Sequence, residues 1–340
     1  MNTEIKKIFK KLERKTSNNF YYKVLTAIYL FDFLDKLKEE NFPKNWFSKL
    51  EKNTKELLSV FNFQKKSFDI KKTNFSDWKS KRIEGFAKET GEVYYQLWKD
   101  FSKEEYSRQA LESVKERFKK NKIFLNGIQN ALDDGCGAGR YTLALKSLDI
   151  KKITGIDVSV NSIQLAKKMS SYPKKEVSFI QGSVLELPFK NSSFDFIFCN
   201  GVLHHTESTE KGLSEIYRVL KKGGSCWLYL YGGKNSLFWD IVDFCRDLLK
   251  DVPQSYTQTV MKTLGYPPGR IFHRSDFFYV PVNRRYFQSE IEKMLREAGF
   301  ENFRRLKRGI STDWDEIIYN NPNIDPYIYG EGEMRYLITK

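Results

Sequence analysis

Cysteine and histidine are scarce in this chain, with four and three among 340 residues. The cysteines, at positions 136, 199, 226 and 245, lack the spacing of metal ligands, so we predict no metal site. Two of them fall on predicted buried strands, where cysteine usually serves as a small apolar core residue.

Long apolar runs are also missing. A membrane-spanning helix needs about 18 or more consecutive apolar residues, and the early apolar run 25–34 is interrupted by Asp32. The basic start of the chain is not followed by the apolar core of a secretion signal. We therefore predict a cytoplasmic protein with no membrane span.

Acidic residues are too few to balance the basic ones, 43 against 58, which leaves a net charge of +15. Such an excess raises the question of a nucleic-acid partner. Most of the lysines, however, lie before residue 200 in mixed-charge helical stretches, which are typical of solvated faces, so we predict no such partner. Beyond residue 250, nine arginines face four lysines. Arginine suits bidentate binding of carboxylate or phosphate, although surface ion pairs are an equal alternative.

The most informative segment is Asp133-Asp134-Gly135-Cys136-Gly137-Ala138-Gly139, which follows an apolar stretch and precedes a helical pattern. Its glycines allow the backbone to turn sharply off a strand and to approach a ligand closely. About twenty residues later, Asp157 ends a second predicted strand, where a carboxylate can accept hydrogen bonds from both hydroxyls of a ribose. The third glycine stands one position too early for the dinucleotide fingerprint. The pattern thus predicts a nucleoside ligand rather than phosphate recognition.

Residues 128–231 resemble the class I S-adenosylmethionine-dependent methyltransferases, in particular the small-molecule branch. The matching elements, in order, are the glycine loop, Asp157, the turn 181–184, the strand 194–199, Leu203-His204-His205, the helix ending at 216–220, the turn 221–224 and the strand 226–231. The resemblance implies an α/β fold, with a Rossmann-like seven-stranded methyltransferase sheet and helices on both faces. It also implies an N-terminal helical region and a lid insertion after the fifth strand.

The same resemblance implies S-adenosylmethionine as cofactor and S-adenosylhomocysteine as product. Asp133, Gly135, Cys136, Gly137 and Gly139 would hold the methionine end, Asp157 and Val158 the ribose, and Ser183 and Val184 the adenine, with Asn200 as a further wall residue. Ser183 departs from the acidic residue usual at its position, so its hydroxyl would accept more weakly or through water. Asp134 stands where the family usually has an apolar residue, and we expect it either to meet solvent or to bond locally.

Three regions can be drawn along the chain. Residues 1–75 have helical spacing and form an N-terminal helical region, and residues 76–127 form a helical approach segment. The methyltransferase domain would occupy 128–340, with substrate-lid insertions at about 232–288 and 310–333. In related enzymes the approach segment often covers the cofactor. This makes Tyr94, Tyr95 and Trp98 candidate cap residues, with core packing as the equal alternative.

Methyl transfer needs an acceptor lone pair aligned with the methyl group, and a base only where the acceptor must lose a proton. The candidates for catalysis are His204 and His205 after the fourth strand, His273 in the first insertion, and Tyr231 as a wall residue. In the first insertion, Tyr266, Arg270, His273, Arg274 and Tyr279 would bind an anionic acceptor and exclude water. The histidines after the fourth strand could instead only pack beneath the cofactor.

The sequence therefore predicts an enzyme that methylates a small, anionic acceptor bearing carboxylate or phosphate. The alternatives are an RNA- or DNA-modifying methyltransferase that uses the basic N-terminal region, and a non-catalytic cofactor-binding scaffold. Against the first, His204-His205 occupies the site where base-amino methylating enzymes usually carry an Asn/Asp-Pro-Pro-aromatic signature. The acceptor atom and the oligomeric state stay open.

Overall fold

The computed structural model describes residues 3–16, 19–67, 90, 91, 93, 95 and 103–340. Its contacts divide the chain into two compact units. The sheet unit comprises the described residues of 83–234, 280–322 and 331–340, and the helical unit those of 1–82, 235–279 and 323–330. The first predicted insertion thus groups mainly with the N-terminal helices, while the domain boundaries drawn from the sequence stay predictions.

The elements of the described residues follow in chain order. The helices are α1 (Thr3–Thr16), α2 (Phe20–Glu39), α3 (Trp46–Ser67), α4 (Lys103–Lys120), α5 (Arg140–Lys146), α6 (Val160–Met169), α7 (Thr209–Val219), α8 (Leu237–Leu249), α9 (Gln254–Thr263), α10 (Pro268–Tyr279), α11 (Gln288–Glu297), α12 (Trp314–Asn320) and α13 (Pro326–Tyr329). The strands are β1 (Asn130–Asp134), β2 (Lys152–Asp157), β3 (Val177–Gln181), β4 (Phe194–Asn200), β5 (Leu220–Leu230), β6 (Asn302–Arg305) and β7 (Met334–Thr339). A short 3-10 turn, Leu203–His205, follows β4.

The sheet unit is built on one seven-stranded sheet with the order β3-β2-β1-β4-β5-β7-β6. Strands β1 to β5 are parallel, and β7 is antiparallel to both β5 and β6. The central strands are nearly continuous apolar runs, as expected where both faces of a parallel sheet are covered. The predicted Rossmann-like sheet is confirmed. Because the chain crosses from β3 to β4 on the other side of β1, a crevice opens at the carboxyl ends of β1 and β4.

Two apolar cores cover the two faces of this sheet. Side chains from α4, α5 and α6, such as Phe118 and Leu143, pack with Trp227 on one face. Side chains from α7 and α11, such as Ile216 and Leu295, pack on the other. This arrangement confirms the prediction of helices on both faces, and it holds the carboxyl ends of the strands in fixed positions.

The helical unit is centred on α2, which is buried on nearly all sides; Val24, Leu30 and Leu37 are almost fully inaccessible. A helix that is apolar all round is typical of the interior of a helical assembly. Asn19 caps it, since its side chain accepts a hydrogen bond from the Tyr22 N–H at 3.0 Å. The predicted N-terminal helical region is confirmed. Within the described part of the chain, no helix is both long and apolar enough to cross a membrane.

Candidate active site

The glycine loop joins β1 to α5. Gly135, Gly137 and Gly139 all have positive φ angles, of 81°, 52° and 87°. A Cβ atom on Gly135 would lie 2.4 Å from the Val202 side chain, and one on Gly139 would lie 2.7 Å from the Phe179 ring. These positions therefore need glycine both for backbone conformation and for space.

Asp157, the predicted ribose ligand, braces the glycine loop. One carboxylate oxygen accepts from the Gly137 N–H at 2.8 Å, and the other accepts from the Ser159 N–H at 2.9 Å. Burial raises the pKa of Asp157, and these two backbone hydrogen bonds oppose that rise. A carboxylate offers about four lone-pair sites, so both oxygens can accept further bonds from a ligand. Val158 follows directly, and its carbonyl accepts from Gln181 at 3.3 Å.

Two neighbouring acids end β1 and point to opposite faces of the sheet. Asp133 accepts a hydrogen bond from the Thr142 hydroxyl at 2.5 Å, and burial raises its pKa to about 7. Asp134 is fully buried, so of its two expected environments the structure excludes solvent. Burial raises its pKa to about 8, with the Cys199 thiol opposing that rise. Within the described residues, its carboxylate oxygens lack any hydrogen-bond partner of good geometry.

The predicted adenine-side residues lie just beyond β3. The Ser183 hydroxyl accepts from the Leu185 N–H at 3.1 Å, so it already has a local partner. Val184 is buried in the core, and Cys136, in the glycine loop, is buried as well. The N–H of Gly182 donates to the carbonyl of Asp157 at 3.0 Å, which holds this turn next to the end of β2.

At the carboxyl end of β4, the side chain of Asn200 is fixed by a neighbour from β5. The Trp227 indole N–H donates to the Asn200 Oδ1 at 2.9 Å. The sequence pattern places Trp227 in a buried strand, but it does not reveal this bond, because the partner lies on a different strand. The next residue, Gly201, has a φ of 79° and turns the chain off the sheet.

His204 is fully buried, and its ring stacks on Tyr231 with the ring centroids 3.7 Å apart. Its Nδ1 accepts from the Tyr231 backbone N–H at 3.1 Å, which leaves the proton of the neutral ring on Nε2. Burial, reinforced by the neighbouring His205, lowers the pKa of His204 well below its usual value. Its Nε2–H has no partner among the described residues. His204 is therefore a neutral hydrogen-bond donor.

His205 has the opposite polarity. Its Nδ1 lies 2.7 Å from the carbonyl oxygen of Val282, which can only accept, so Nδ1 carries the proton. In the neutral ring, Nε2 is then a lone-pair acceptor and could take a proton. The two imidazole rings lie edge to face, 4.2 Å apart. Val282 is a partner that the sequence does not indicate, since 77 residues separate it from His205.

Of the predicted cap residues, Tyr94 and Trp98 lie outside the described residues, whereas Tyr95 is described and half-buried. A Cβ atom on Gly91, in the same segment, would lie 2.9 Å from the Cβ of Ser159. The approach segment thus contacts the chain two residues beyond Asp157, and the role of Tyr95 as a cap stays a prediction.

The residues predicted for the acceptor belong to the helical unit, where several pair with α2. Arg274 is buried, and its Nη2 lies 2.5 Å from Asp32 and 3.3 Å from Asp35. Its guanidinium stacks on the Tyr266 ring at 4.5 Å, and the Tyr266 hydroxyl donates to Asp32 at 2.6 Å. Arg270 lies 3.7 Å from Asp35 and is half-exposed. These contacts supply the ion pairs of the alternative interpretation, while contact with an acceptor stays a prediction.

The remaining two residues of this predicted set also have partners in the helical unit. The hydroxyl groups of Tyr279 and Thr257 lie 2.5 Å apart. The His273 ring packs edge to face on Phe277, with centroids 4.9 Å apart. A catalytic role for His273 likewise stays a prediction.

The sheet unit contains a buried ionic network that the sequence does not predict. Asp313 accepts from Arg117 at 2.7 Å and from Arg335 at 3.1 Å, and these cations lower its pKa although burial opposes them. Glu333 accepts from Arg335 at 2.6 Å and from the Tyr229 hydroxyl at 2.9 Å. The second predicted insertion, 310–333, is therefore tied to α4, β5 and β7 by buried charges. Long sequence separations hide such pairs from pattern analysis.

Over the described ranges, no group of three or more His, Cys, Asp or Glu side chains could hold a metal ion.

Part of the chain is similar to known methyltransferases. Residues 132–228 match the family model of a methyltransferase domain. The curated relatives include demethylmenaquinone methyltransferases of Staphylococcus aureus strains, which are 29% identical over 180 residues, 51% of this chain and 68% of theirs. The chain therefore contains a methyltransferase domain and is a methyltransferase enzyme.

The chain also aligns with solved structures of methyltransferases. One is the methyltransferase in complex with the Trm112 activator of Haloferax volcanii, at 16% identity and a TM-score of 0.47, covering 76% of this chain and 99% of that one. Another is a methyltransferase from Archaeoglobus fulgidus, at 16% identity and a TM-score of 0.42, covering 70% of this chain and 97% of that one.

Proposed function

We propose that this protein transfers the methyl group of S-adenosylmethionine to a small acceptor at the carboxyl edge of β1, β2 and β4. The observation that supports this most directly is the pair of hydrogen bonds that the Asp157 carboxylate accepts from the backbone N–H groups of Gly137 and Ser159. It holds the carboxylate beside a glycine loop whose backbone a ligand can approach closely. A ribose with two hydroxyl groups fits the lone pairs that remain.

The charges of the edge suit a cationic ligand. Asp133 is buried and Asp157 is partly buried; both have raised pKa values, and loss of solvation is the main cause for both. A nearby positive charge would stabilise their ionised forms. S-adenosylmethionine brings a sulfonium and an ammonium group, and we assign Asp133 to the methionine end and Asp157 to the ribose. The contact of Ser183 with adenine remains a weaker proposal, because its hydroxyl already accepts from Leu185.

When bound, the cofactor supplies a methyl group that is already electrophilic, so positioning the acceptor can provide much of the rate. The His204 Nε2–H could donate to an oxygen of the acceptor, and the His205 Nε2 could take a proton from it. Tyr231 holds His204 by its stacked ring and its backbone N–H. We propose this pair, rather than His273, as the first candidates for catalysis.

The acceptor is proposed to be a small molecule, supported by relatives whose name refers to demethylmenaquinone. Its anionic character is a further proposal, carried by the arginine excess after residue 250. The contacts of Arg274 support both the ion-pair and the acceptor-binding interpretation. Its Nη2 pairs with Asp32 and Asp35, whereas its Nη1 has no hydrogen-bond partner among the described residues. If Arg274 and Arg270 bind the acceptor, replacing either by lysine should raise the Michaelis constant without changing cofactor affinity.

Calorimetry tests the central proposal. The wild type should bind S-adenosylmethionine and S-adenosylhomocysteine, and Asp157→Ala should weaken both about ten- to a hundred-fold, since a charged hydrogen bond is worth roughly 1.5–3 kcal/mol. Asp195→Ala is the matched control. Asp195 also accepts from two backbone N–H groups, of Gln129 and Asn130, but at the amino end of β4.

The control variant should lose stability and keep its cofactor affinity. A wild type that ignored both ligands but bound a nicotinamide dinucleotide would show the proposal to be wrong. Equal losses of affinity in Asp157→Ala and Asp195→Ala would show that the ribose assignment is wrong, because general loosening of the sheet would then explain both.

A further inference from the structure

Lysines are concentrated at the amino ends of β1, β2 and β3. The chain enters these strands through the segments 119–129, 146–152 and 172–176, which together form a surface named the lysine edge. The three segments contain eight lysines and two acids, a net charge of +6, and no arginine. Because the three strands are parallel, this edge of the sheet is opposite to the carboxyl edge where the active site is proposed.

Backbone hydrogen bonds hold the three segments side by side. The Lys152 N–H donates to the Gln129 carbonyl at 3.0 Å, which joins the first segment to the second. The Ile153 N–H donates to the Glu176 carbonyl at 2.9 Å, which joins the start of β2 to the third segment. The charges of the three segments therefore share one surface, although they come from distant parts of the sequence.

Most of these lysines are exposed and lie outside ion pairs. Lys120 pairs with Glu116 and Glu316, and Lys146 pairs with Glu176 at 3.1 Å. The other six are exposed, and no ion pair among the described residues neutralises them: Lys119, Lys122, Lys151, Lys152, Lys174 and Lys175. The helix macrodipole favours lysine in the last turn of a helix. Of the six, only Lys119 lies within a helix, so the macrodipole does not account for the other five.

Phe124 projects from the lysine edge. It is 78% exposed, the largest exposure of any large apolar residue in the described part of the chain. The neighbouring Ile123 is buried in the core, and its N–H donates to the Phe118 carbonyl at 2.9 Å. The loop is thus anchored by Ile123 and presents Phe124 to solvent. A single exposed apolar residue is ordinary on a protein surface, but this one stands among exposed lysines.

This combination matches the two contributions that bind peripheral proteins to anionic bilayers. Clusters of about four to eight basic residues are attracted by acidic headgroups, and apolar side chains enter the boundary of the acyl chains. Nucleic acid is a weaker fit, because its recognition favours the arginine fork and several stacking aromatic rings. The lysine edge has no arginine, and its other aromatic residue, Tyr172, is half-buried beside Lys146.

We propose that the lysine edge docks this protein onto an anionic phospholipid surface, with Phe124 inserted among the headgroups. The proposal goes beyond methyl transfer, because it concerns the opposite edge of the sheet and needs no cofactor. In the competing interpretation, the six exposed lysines are only a solvated face.

Sedimentation of the full chain with vesicles tests the proposal. The wild type should bind vesicles of equal parts phosphatidylglycerol and phosphatidylcholine, should not bind pure phosphatidylcholine, and should bind less as the salt concentration rises. Lys174→Gln/Lys175→Gln should weaken binding about ten- to thirty-fold, since each lysine at such a surface contributes roughly five-fold. Phe124→Ser should weaken it about ten-fold or more, because the aromatic ring that leaves water is lost.

Two variants outside the lysine edge are matched controls. Lys10→Gln/Lys11→Gln removes the same charge from α1, where both lysines are exposed, and Leu264→Ser removes an exposed apolar side chain that follows α9. Both should bind the anionic vesicles nearly like the wild type. All variants should keep the unfolding temperature of the wild type, because the replaced side chains are exposed.

Insertion can be followed directly in Phe124→Cys, because the four native cysteines are buried and leave the new thiol as the accessible one. An environment-sensitive fluorophore attached at position 124 should shift to the blue on anionic vesicles. The same label in Leu264→Cys should not shift.

The proposal is wrong if the wild type does not bind anionic vesicles, or if Lys10→Gln/Lys11→Gln loses as much binding as Lys174→Gln/Lys175→Gln. Binding to transfer RNA that the lysine-edge variants weaken, without binding to vesicles, would also overturn it and would assign the surface to nucleic acid. Vesicle binding that is unchanged in Phe124→Ser, with no blue shift at position 124, would overturn the insertion of Phe124. None of these results bears on the proposed methyl transfer, which calorimetry with the cofactor tests separately.

Discussion

Replacing Asp134 by valine should stabilise this protein, and by more at pH 8 than at pH 5. Asp134 is fully buried on the face of β1 opposite to Asp133, and its oxygens have no hydrogen-bond partner of good geometry among the described residues. Burial raises its pKa to about 8 from an ordinary value of 3.8. The folded state therefore prefers the protonated carboxyl, whereas the unfolded chain ionises near pH 4.

The sign and size of this change in stability with pH follow from proton linkage. Between pH 4 and pH 8 the folded state binds one more proton at this site than the unfolded state, so stability falls as the pH rises, and it is level above pH 8. Each pH unit above the unfolded pKa lowers the free energy of unfolding by about 1.36 kcal/mol. Relative to pH values below 4, Asp134 therefore costs on the order of 5 kcal/mol at pH 8 and about 1.5 kcal/mol at pH 5. Valine removes this cost and adds apolar contact. The expected gain is therefore larger at pH 8, by up to roughly 4 kcal/mol.

Denaturant unfolding of the wild type and Asp134→Val at pH 5, 6, 7 and 8 measures this difference. Asp134→Asn is the control, because it removes the titrating proton but keeps a buried polar group. It should flatten the pH dependence while giving a smaller gain. Asp133, whose pKa is also raised, will contribute the same slope to all three proteins. The prediction is wrong if Asp134→Val is less stable than the wild type at pH 8, or if its gain in stability does not change with pH. Either result would mean that the folded protein compensates the charge of Asp134.

Three further measurements test other parts of the structure. Nitrogen-15 NMR, simple for a chain with three histidines, should show a proton on Nε2 of His204 and on Nδ1 of His205; the same tautomer at both would contradict the two hydrogen bonds that define them. Arg274→Lys should lower the free energy of unfolding by about 1–3 kcal/mol, moderated because its acidic partners are partly exposed. The half-exposed control Arg270→Lys should have almost no effect, and equal losses would refute the buried pairing. Titration with transfer RNA at physiological salt should show no sub-micromolar binding, whereas tight binding that falls steeply with salt would favour the RNA-modifying alternative.

The parts that the sequence predicts well are those set by local rules. Glycines after an apolar strand, and an acid about twenty residues later, predict the loop between β1 and α5 and the position of Asp157. The loop needs glycine because Gly135 and Gly139 have left-handed backbone and no room for a Cβ atom. Such requirements depend on neighbours close in the chain or on strands of fixed spacing. They are therefore visible as a pattern.

The parts that the sequence does not predict depend on partners far along the chain. Arg274 follows Asp32 by 242 residues, and no pattern of charges within α10 reveals that pairing. His205 and His204 are adjacent and identical in type, yet they differ in tautomer because their partners, the Val282 carbonyl and the Tyr231 N–H, differ in polarity. For each histidine, the partner of Nδ1 decides whether Nε2 donates or accepts a hydrogen bond.

The two acids that end β1 have the same side chain but face different surroundings. Both are buried, and burial raises the pKa of both. Asp133 accepts a hydrogen bond from Thr142 of α5, and we propose that a cationic ligand stabilises its charge there and offsets the cost of burying it. Asp134 faces the apolar core beside Cys199, on the opposite face of the sheet. Perturbed acids mark a functional site only where the geometry gives the charge a partner, and on that criterion we propose Asp133, and not Asp134, for the cofactor site.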